Sequence, residues 1–400
     1  MRYIHLSDEI KAQITEDRSK HVINPYAFRD EDVVRRNMAY DRSSLIRPAF
    51  VRDCEKIMNI PYYNRYGDKT QVFSLYKNDD ISRRSIHVQL VSRIARNIGR
   101  MLNLNLDLIE AISLGHDIGH TPFGHAGEFE LNKIYHERTG RYFNHNIQSA
   151  RVLDTIFPLN LSLQTLDGII CHNGEMEMQK YSPVAYDSFQ AFDQKMEKCY
   201  LHNEANYELI PSTLEACVMR VSDIIAYLGK DRQDAIKLHM LPEDLQFQDE
   251  GIGTINAEII HNMTVNLIEK SYGKPYLAMD EEFYAAFSKG KKENYELIYQ
   301  NDKTEKLFQE QIYPMFEAIY DKLYDDLIKG DKNSVIYRHH IEYIKRYTKH
   351  YMTKIDYEAQ DPNDIVTDCI AGMTDDYFID LYRYLFPDGK YHVDYVAYFG

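Results

Sequence analysis

Leu114-Gly-His-Asp-Ile-Gly-His-Thr-Pro-Phe-Gly-His-Ala-Gly-Glu128 places three histidines and two carboxylates within fifteen residues. The adjacent pair His116-Asp117 joins an imidazole to a carboxylate, a set suited to a borderline-hard divalent cation. His120, His125 and Glu128 remain beside it as acid, base or phosphate-contact groups, the division of labour that metal-assisted hydrolysis needs. Histidine is neither a strong helix former nor a turn residue. Its recurrence around Gly119, Pro122 and Gly124 therefore has little purely structural rationale.

Upstream, Ile86, Leu90, Val91, Ile94, Ala95, Ile98 and Leu102 recur at helical spacing and predict an amphipathic helix over 85–103, with His87 on its apolar stripe. Asn105 is placed to cap a second helix carrying Ile109, Ile112 and His116 on one face. Gly119 and Pro122 interrupt that helix, which predicts a tight connection over His120 to Gly124 and a new helix from about Ala126. Pairing the first two helices antiparallel through Asn103–Asn105 carries His87 towards His116. A fourth ligand candidate is Asp223, set among Val221, Ile224 and Ile225, where a carboxylate needs a partner. Tyr227 and Asp231 follow on the same helical face. Taken singly, His87 reads as a core histidine and Asp223 as a buried, hydrogen-bonded aspartate; together with the 114–128 segment they read as a metal site.

Further helices are predicted over 146–156, 163–173 (closed by Gly174), 212–230, 254–270, 305–329, 334–350 and 375–386. Gln71–Leu75 and Tyr391–Phe399 are the strand candidates, and Ser288 to Asn294 reads as a charged surface loop. The expectation is one mainly α domain with peripheral helices and at most a small β element. Within it, about 1–80 forms an N-terminal cap, 81–235 the core and 236–400 a C-terminal helical part. The 400 residues are 44% hydrophobic, enough for a sizeable core. The net charge of −15, with basic residues interspersed among acids, argues against nucleic acid as the main ligand and leaves room for a small anionic substrate. No apolar run approaches a membrane span, and Met1-Arg2-Tyr3-Ile4-His5 begins no signal peptide. Five dispersed cysteines, none in a Cys-x-x-Cys spacing, fit a reducing cytoplasm without structural zinc.

His87, His116-Asp117 and Asp223 resemble the H…HD…D signature of the HD-domain metal-dependent phosphohydrolases. Asp68-Lys-Thr-Gln-Val-Phe73, the 116–128 segment and Phe143-Asn-His-Asn-Ile-Gln148 narrow the resemblance to the deoxyguanosine triphosphate triphosphohydrolase (dGTPase) family. Cys171-His-Asn-Gly174, Leu214-Glu-Ala216, Asp223-Ile-Ile-Ala-Tyr227, Asp231-Arg-Gln-Asp-Ala235 and Asp368-Cys-Ile-Ala-Gly-Met-Thr-Asp375 follow in family order. The resemblance implies an HD-domain helical fold. It also implies hydrolysis of a dNTP, dGTP by the family's name, to deoxynucleoside and inorganic triphosphate through attack of a metal-bound water on the α-phosphorus. His87, His116, Asp117 and Asp223 would hold one divalent ion: Mg²⁺ or Mn²⁺ foremost, with Fe, Co, Zn or Ni compatible. His125 with Glu128 would be the catalytic pair, His125 acting as general acid toward the 5′-oxygen. His120 and His145 would lie against the phosphates, with Asn146 beside them, and Arg84 would bind phosphate oxygens. Gln71, Tyr227 and Asp231 would contact the deoxyribose. His172 reads equally as a helix C-terminal residue and as a site residue.

The chain differs from the family where Ser82-Arg-Arg-Ser-Ile-His-Val88 and Tyr63-Asn-Arg-Tyr66 stand, both near the expected nucleotide pocket, which leaves the base preference open. The resemblance further implies a homo-oligomer, a hexamer or related assembly, with a nucleotide effector. Two competing readings remain. One is an HD-superfamily phosphodiesterase or nucleotidase on another nucleotide. The other is a nucleotide-sensing or nucleic-acid-binding protein without turnover.

Overall fold

The computed structural model describes residues 3–173, 178–248, 251–300 and 302–398. Helices dominate: α1 (Asp8–Ser19), α2 (Ala49–Met58), α3 (Arg84–Leu102), α4 (Leu106–Gly115), α5 (Gly124–Thr139) and α6 (His145–Arg151) come first. They are followed by α7 (Leu163–Ile170), α8 (Phe189–Leu201), α9 (Leu214–Lys237), α10 (Asn256–Ser271) and α11 (Glu281–Asn294). The C-terminal part holds α12 (Asp302–Leu307), α13 (Tyr313–Ile328), α14 (Glu342–Thr348), α15 (Pro362–Ala371) and α16 (Asp375–Leu385). A single short antiparallel ladder, β1 (Lys180–Tyr181) with β2 (Leu277–Ala278), pairs Lys180 with Ala278 among the described residues. The mainly α reading therefore holds.

The α3–α4 hairpin forms as its sequence dictates. Val88, Val91, Ile94, Ala95 and Ile98 are buried along one face of α3, and the helix stops where Asn103 takes a left-handed φ of 56°. Asn105 then caps α4, its side chain accepting from the N–H groups of Asp107 (3.1 Å) and Leu108 (3.2 Å). Helix α9 is buried on nearly every face and packs on α3, α4 and α10, as expected of a helix at the centre of a large helical core. One contiguous hydrophobic core reaches from Val33 to Val393.

Three expectations are corrected. Gln71–Leu75 is not a strand: Leu75 sits at φ 66°, while Phe73 drops into a satellite cluster with Ile81, Ala235 and Leu241. Residues 391–398 form only an isolated bridge, Val396 to Tyr76. Ser288 to Asn294 is the second half of α11 rather than a loop. Its Lys and Glu residues are good helix formers, and buried Asn294 docks it on α9 by accepting from Arg232 Nε (2.7 Å) and donating to the Leu228 carbonyl (2.8 Å). The helix end assigned to Gly174 lies outside the described residues.

Candidate metal centre and nucleotide cavity

The turn between α4 and α5 is held from several sides. A Cβ at Gly119 would overlap the backbone of Gln148 and Ser149, so only glycine lets the turn approach α6 this closely. Phe123 takes a left-handed φ of 61°. It keeps it because its N–H donates to Asp375 Oδ1 (3.0 Å) and its ring packs edge-on against Phe308, Phe316 and Phe378. The buried Lys69 Nζ donates to the His120 and Ala371 carbonyls, and Thr70 donates to Asp375. The Asp68–Phe73 and Asp368–Asp375 motifs thus act as struts for the His116–Glu128 segment.

His87 on α3, His116 and Asp117 after α4, and Asp223 on α9 meet at one point. His87 Nε2 lies 2.9 Å from Asp223 Oδ1, and His116 Nε2 lies 3.8 Å from the same oxygen. Asp117 Oδ1 is 3.5 Å from His116 Nε2, and Asp117 Oδ2 is 3.9 Å from His87 Nε2. His116 donates Nδ1–H to the Ser113 carbonyl at 2.7 Å, which turns its Nε2 lone pair inward; that nitrogen is buried without a hydrogen-bond partner among the described residues. Burial opposes ionisation of Asp117, yet His116 and Arg84 hold its carboxyl well below the usual range. Burial likewise opposes ionisation of Asp223, and the His87 hydrogen bond outweighs it. An orphaned imidazole nitrogen facing two ionised carboxylates fits a divalent cation with His₂Asp₂ ligation.

Beside this cluster, Glu128 joins two histidines. It accepts from His125 Nδ1 at 3.0 Å and from His145 Nδ1 at 2.8 and 2.9 Å. The four groups His120, His125, Glu128 and His145 cluster closely; these hydrogen bonds join three of them, and ring stacking brings in His120. Burial would raise the Glu128 carboxyl, but His145 and His125 carry it well below its ordinary value. Burial pulls His145 down and the Glu128 charge more than restores it. His120 stacks on His145 at 4.2 Å between ring centres; burial, with Arg84 nearby, pushes it well below its ordinary value and keeps it neutral.

Both clusters open onto a cavity of about 940 Å³. Of the residues expected from the sequence, His87, Asp117, Asp223, His120, His125, His145, Arg84, Gln71, Tyr227 and Asp231 line it. His116 and Glu128 stand directly behind. Asn146 does not reach it: it is fully buried and donates to the Ile170 carbonyl and Asn206 Oδ1. Arg84 is engaged with Asp117 and with the Thr70 and Gln71 carbonyls (3.1 and 3.2 Å). Asp231 accepts from Tyr299 OH at 2.7 Å, and burial raises its carboxyl to about 7.

Several lining residues escaped the sequence reading. Lys291, Lys292, Tyr295 and Tyr299 form an outer wall from α11 and the wide turn after it, and Phe308 and Tyr313 extend it. No spacing rule connects a lysine pair on α11 to a site built from residues far upstream. His172, which the sequence leaves equally open as a helix C-terminal or a site residue, also lines the cavity.

The chain matches the HD domain family over residues 84–228. It is 32% identical over 380 residues to a deoxyguanosinetriphosphate triphosphohydrolase-like protein of Caldanaerobacter subterraneus subsp. tengcongensis, covering 94% of this chain and 95% of that protein. Proteins of the same name from Syntrophus aciditrophicus and Rickettsia bellii are 28% and 27% identical; they cover 94% and 85% of this chain, and 96% and 92% of their own lengths.

Proposed function

The chain belongs to the HD-domain family of deoxyguanosinetriphosphate triphosphohydrolase-like proteins, and from that premise we propose that it hydrolyses a deoxynucleoside triphosphate, dGTP foremost, to deoxynucleoside and inorganic triphosphate. The observation that carries the reading is that one nucleotide-sized cavity is lined by His87, Asp117 and Asp223 of the first cluster and by His125, with His116 beside Asp117 and Glu128 hydrogen-bonded to His125. A divalent cation held by those four residues supplies an acidified water and Lewis-acid polarisation of the α-phosphoryl oxygens.

The remaining chemistry belongs to the side chains. A P–O bond forms from water to the α-phosphorus as the bond to the deoxyribose 5′-oxygen breaks, and the departing oxygen needs a proton. His125 is suited to give it: its side chain is 66% exposed to the cavity mouth, and Glu128 fixes its Nδ1, leaving Nε2 to donate. Neutral His120 offers a hydrogen-bond donor to a phosphate oxygen without adding charge. Lys291 and Lys292 bring positive charge to the outer wall, where a triphosphate tail needs it. Asp231, oriented by Tyr299, accepts from a sugar 3′-hydroxyl, and Tyr227 covers the ring.

A panel of dNTPs and NTPs with Mg²⁺ or Mn²⁺, followed by inorganic triphosphate release, tests the proposal. Only attack at the α-phosphorus of a triphosphate yields that product, so its absence with every nucleotide would sink the reading in favour of another HD-type phosphodiesterase or a nucleotide sensor. The homo-oligomer and nucleotide effector implied by the family belong to the same proposal; mass photometry with and without dNTP tests both.

A further inference from the structure

Gln71, Val72, Phe73, Ser74 and Tyr76 line the cavity, so one of its walls is a loop rather than a helix. At its start the loop is held from the core. Arg84 donates to the Thr70 and Gln71 carbonyls, and Thr70 donates to Asp375. Its far end is held by a distant piece of chain. The Lys77 N–H donates to the Val396 carbonyl at 3.0 Å, and the Val396 N–H donates to the Leu75 carbonyl at 2.8 Å. These two bonds clasp Tyr76 in a parallel bridge. Tyr398 OH adds a third tie, donating to Asp79 Oδ1 at 2.8 Å.

The clasping segment is itself moored to α16. Val393 is buried, and its carbonyl accepts from Arg383 at 3.0 Å; Tyr395 OH donates to Asp376. Asp375, next to Asp376 in the first turn of that helix, holds Phe123 in the turn before α5. One helix thus anchors both the histidine-bearing turn and the strap over the loop. Leu75 stands between the cavity wall and the clasp at a left-handed φ of 66°, a conformation that a leucine keeps only where its surroundings hold it. Here its side chain is buried and its carbonyl is one of the clasped groups. Gln71 Oε1 is buried with no partner among the described residues, an acceptor in the wall that a ligand hydroxyl can satisfy.

We propose that residues 393–398 are a positioning strap for the nucleotide cavity: through the backbone of Val396 they hold the Gln71–Tyr76 wall in the shape that receives the substrate. The inference rests on the reading of that cavity as the nucleotide site. The strap makes these hydrogen bonds to the loop and to α16, away from the metal ligands and His125, so it acts on substrate binding rather than on the chemical step.

Val396→Pro removes the N–H donated to Leu75 and leaves the rest of the strap in place. Steady-state kinetics on the intact protein with the four dNTPs and Mn²⁺ should show KM raised about 2–12-fold, the worth of one hydrogen bond, with kcat within about 2-fold. Val396→Ala keeps the N–H and should restore the wild-type KM, and thermal melting confirms that both variants are folded. An unchanged KM in folded Val396→Pro overturns the strap, as does a fall in kcat at constant KM, which would place the effect on chemistry. If Val396→Pro does not fold, Tyr398→Phe, which deletes only the tie to Asp79, decides by the same split: KM raised about 2-fold or more supports the strap, and an unchanged KM overturns it. A wild type that binds dNTPs by calorimetry but releases no triphosphate refutes the hydrolytic reading alone, and the same variants are then judged by Kd. A wild type that neither binds nor hydrolyses them overturns both.

Discussion

Replacing Glu215 with glutamine tests the clamp that sets α9, which carries Asp223, against α4, which leads into His116. Glu215 lies in the first turn of α9 and is fully buried. Its Oε1 accepts from the Phe28 N–H (2.9 Å) and from the N–H of Asn105, the cap of α4 (3.0 Å). Its Oε2 is buried with no partner among the described residues. Burial pushes the carboxyl from 4.5 up to about 7, against the pull of the backbone hydrogen bonds. A folded value above the unfolded one means stability that is complete below the unfolded value and is lost as pH rises through about 7. At ~1.36 kcal/mol per pH unit the full loss is about 3 kcal/mol, of which about 2.5 kcal/mol falls between about pH 5 and about pH 8. Glutamine keeps the accepting oxygen and never ionises. Denaturant unfolding of wild type and Glu215→Gln at those two pH values should therefore show the difference moving by about 2–3 kcal/mol in favour of the variant on going alkaline. A difference constant to within about 0.5 kcal/mol, or one moving the other way, would falsify the assignment of a strained buried carboxylate.

His125→Ala should lower turnover by about 10²–10⁴-fold while leaving the metal content unchanged; loss of metal would make His125 a ligand instead. Asp231→Ala should erode discrimination between dNTPs and 2′,3′-dideoxynucleotides, which in the wild type is worth about 1.5–3 kcal/mol, roughly 10–100-fold in kcat/KM. An unaltered ratio removes Asp231 from the sugar site. Asp375→Ala strips the partner from the Phe123 N–H and from Thr70, both buried. It should cost about 2–4 kcal/mol of stability, and a change below about 0.5 kcal/mol would show that the strut carries no load.

The α3–α4 hairpin, its Asn105 cap and the meeting of His87 with His116 were legible because each depends on local spacing. Helical period, a capping side chain and a three-residue link are all short-range properties, and the structure reproduces them to within a residue or two. Asp223 was legible for a different reason: a carboxylate amid branched apolar residues must find a partner, whatever the fold. Residues that alternate without helical period, such as Gln71–Leu75, misled because the same pattern serves a loop whose apolar members plug a satellite core. The charged run Ser288 to Asn294 misled in the opposite direction. Its charges cover one face of α11, while Gly290 and Asn294 on the other face are buried against α9.

What could not be read is the set of supports that makes the 116–128 segment usable. Lys69 holds the His120 carbonyl, Asp375 holds Phe123 in a left-handed conformation, and the α6 backbone leaves room at Gly119 only for a hydrogen. Each support joins residues far apart in the chain, and in each the chemistry is ordinary: a lysine nitrogen on a carbonyl, a carboxylate on an N–H, a missing Cβ. None leaves a local signature, since the same residues would read as surface charges or turn formers elsewhere. His172 is equally open in sequence between a helix C-terminal and a site residue, because its place in the cavity wall depends on where Ile169 and Asp117 stand relative to its two nitrogens, a relation between α7 and the turn after α4 that no spacing within either segment encodes. Cavity residues are therefore visible in sequence to the extent that their own element fixes them, and invisible where a second element must aim them.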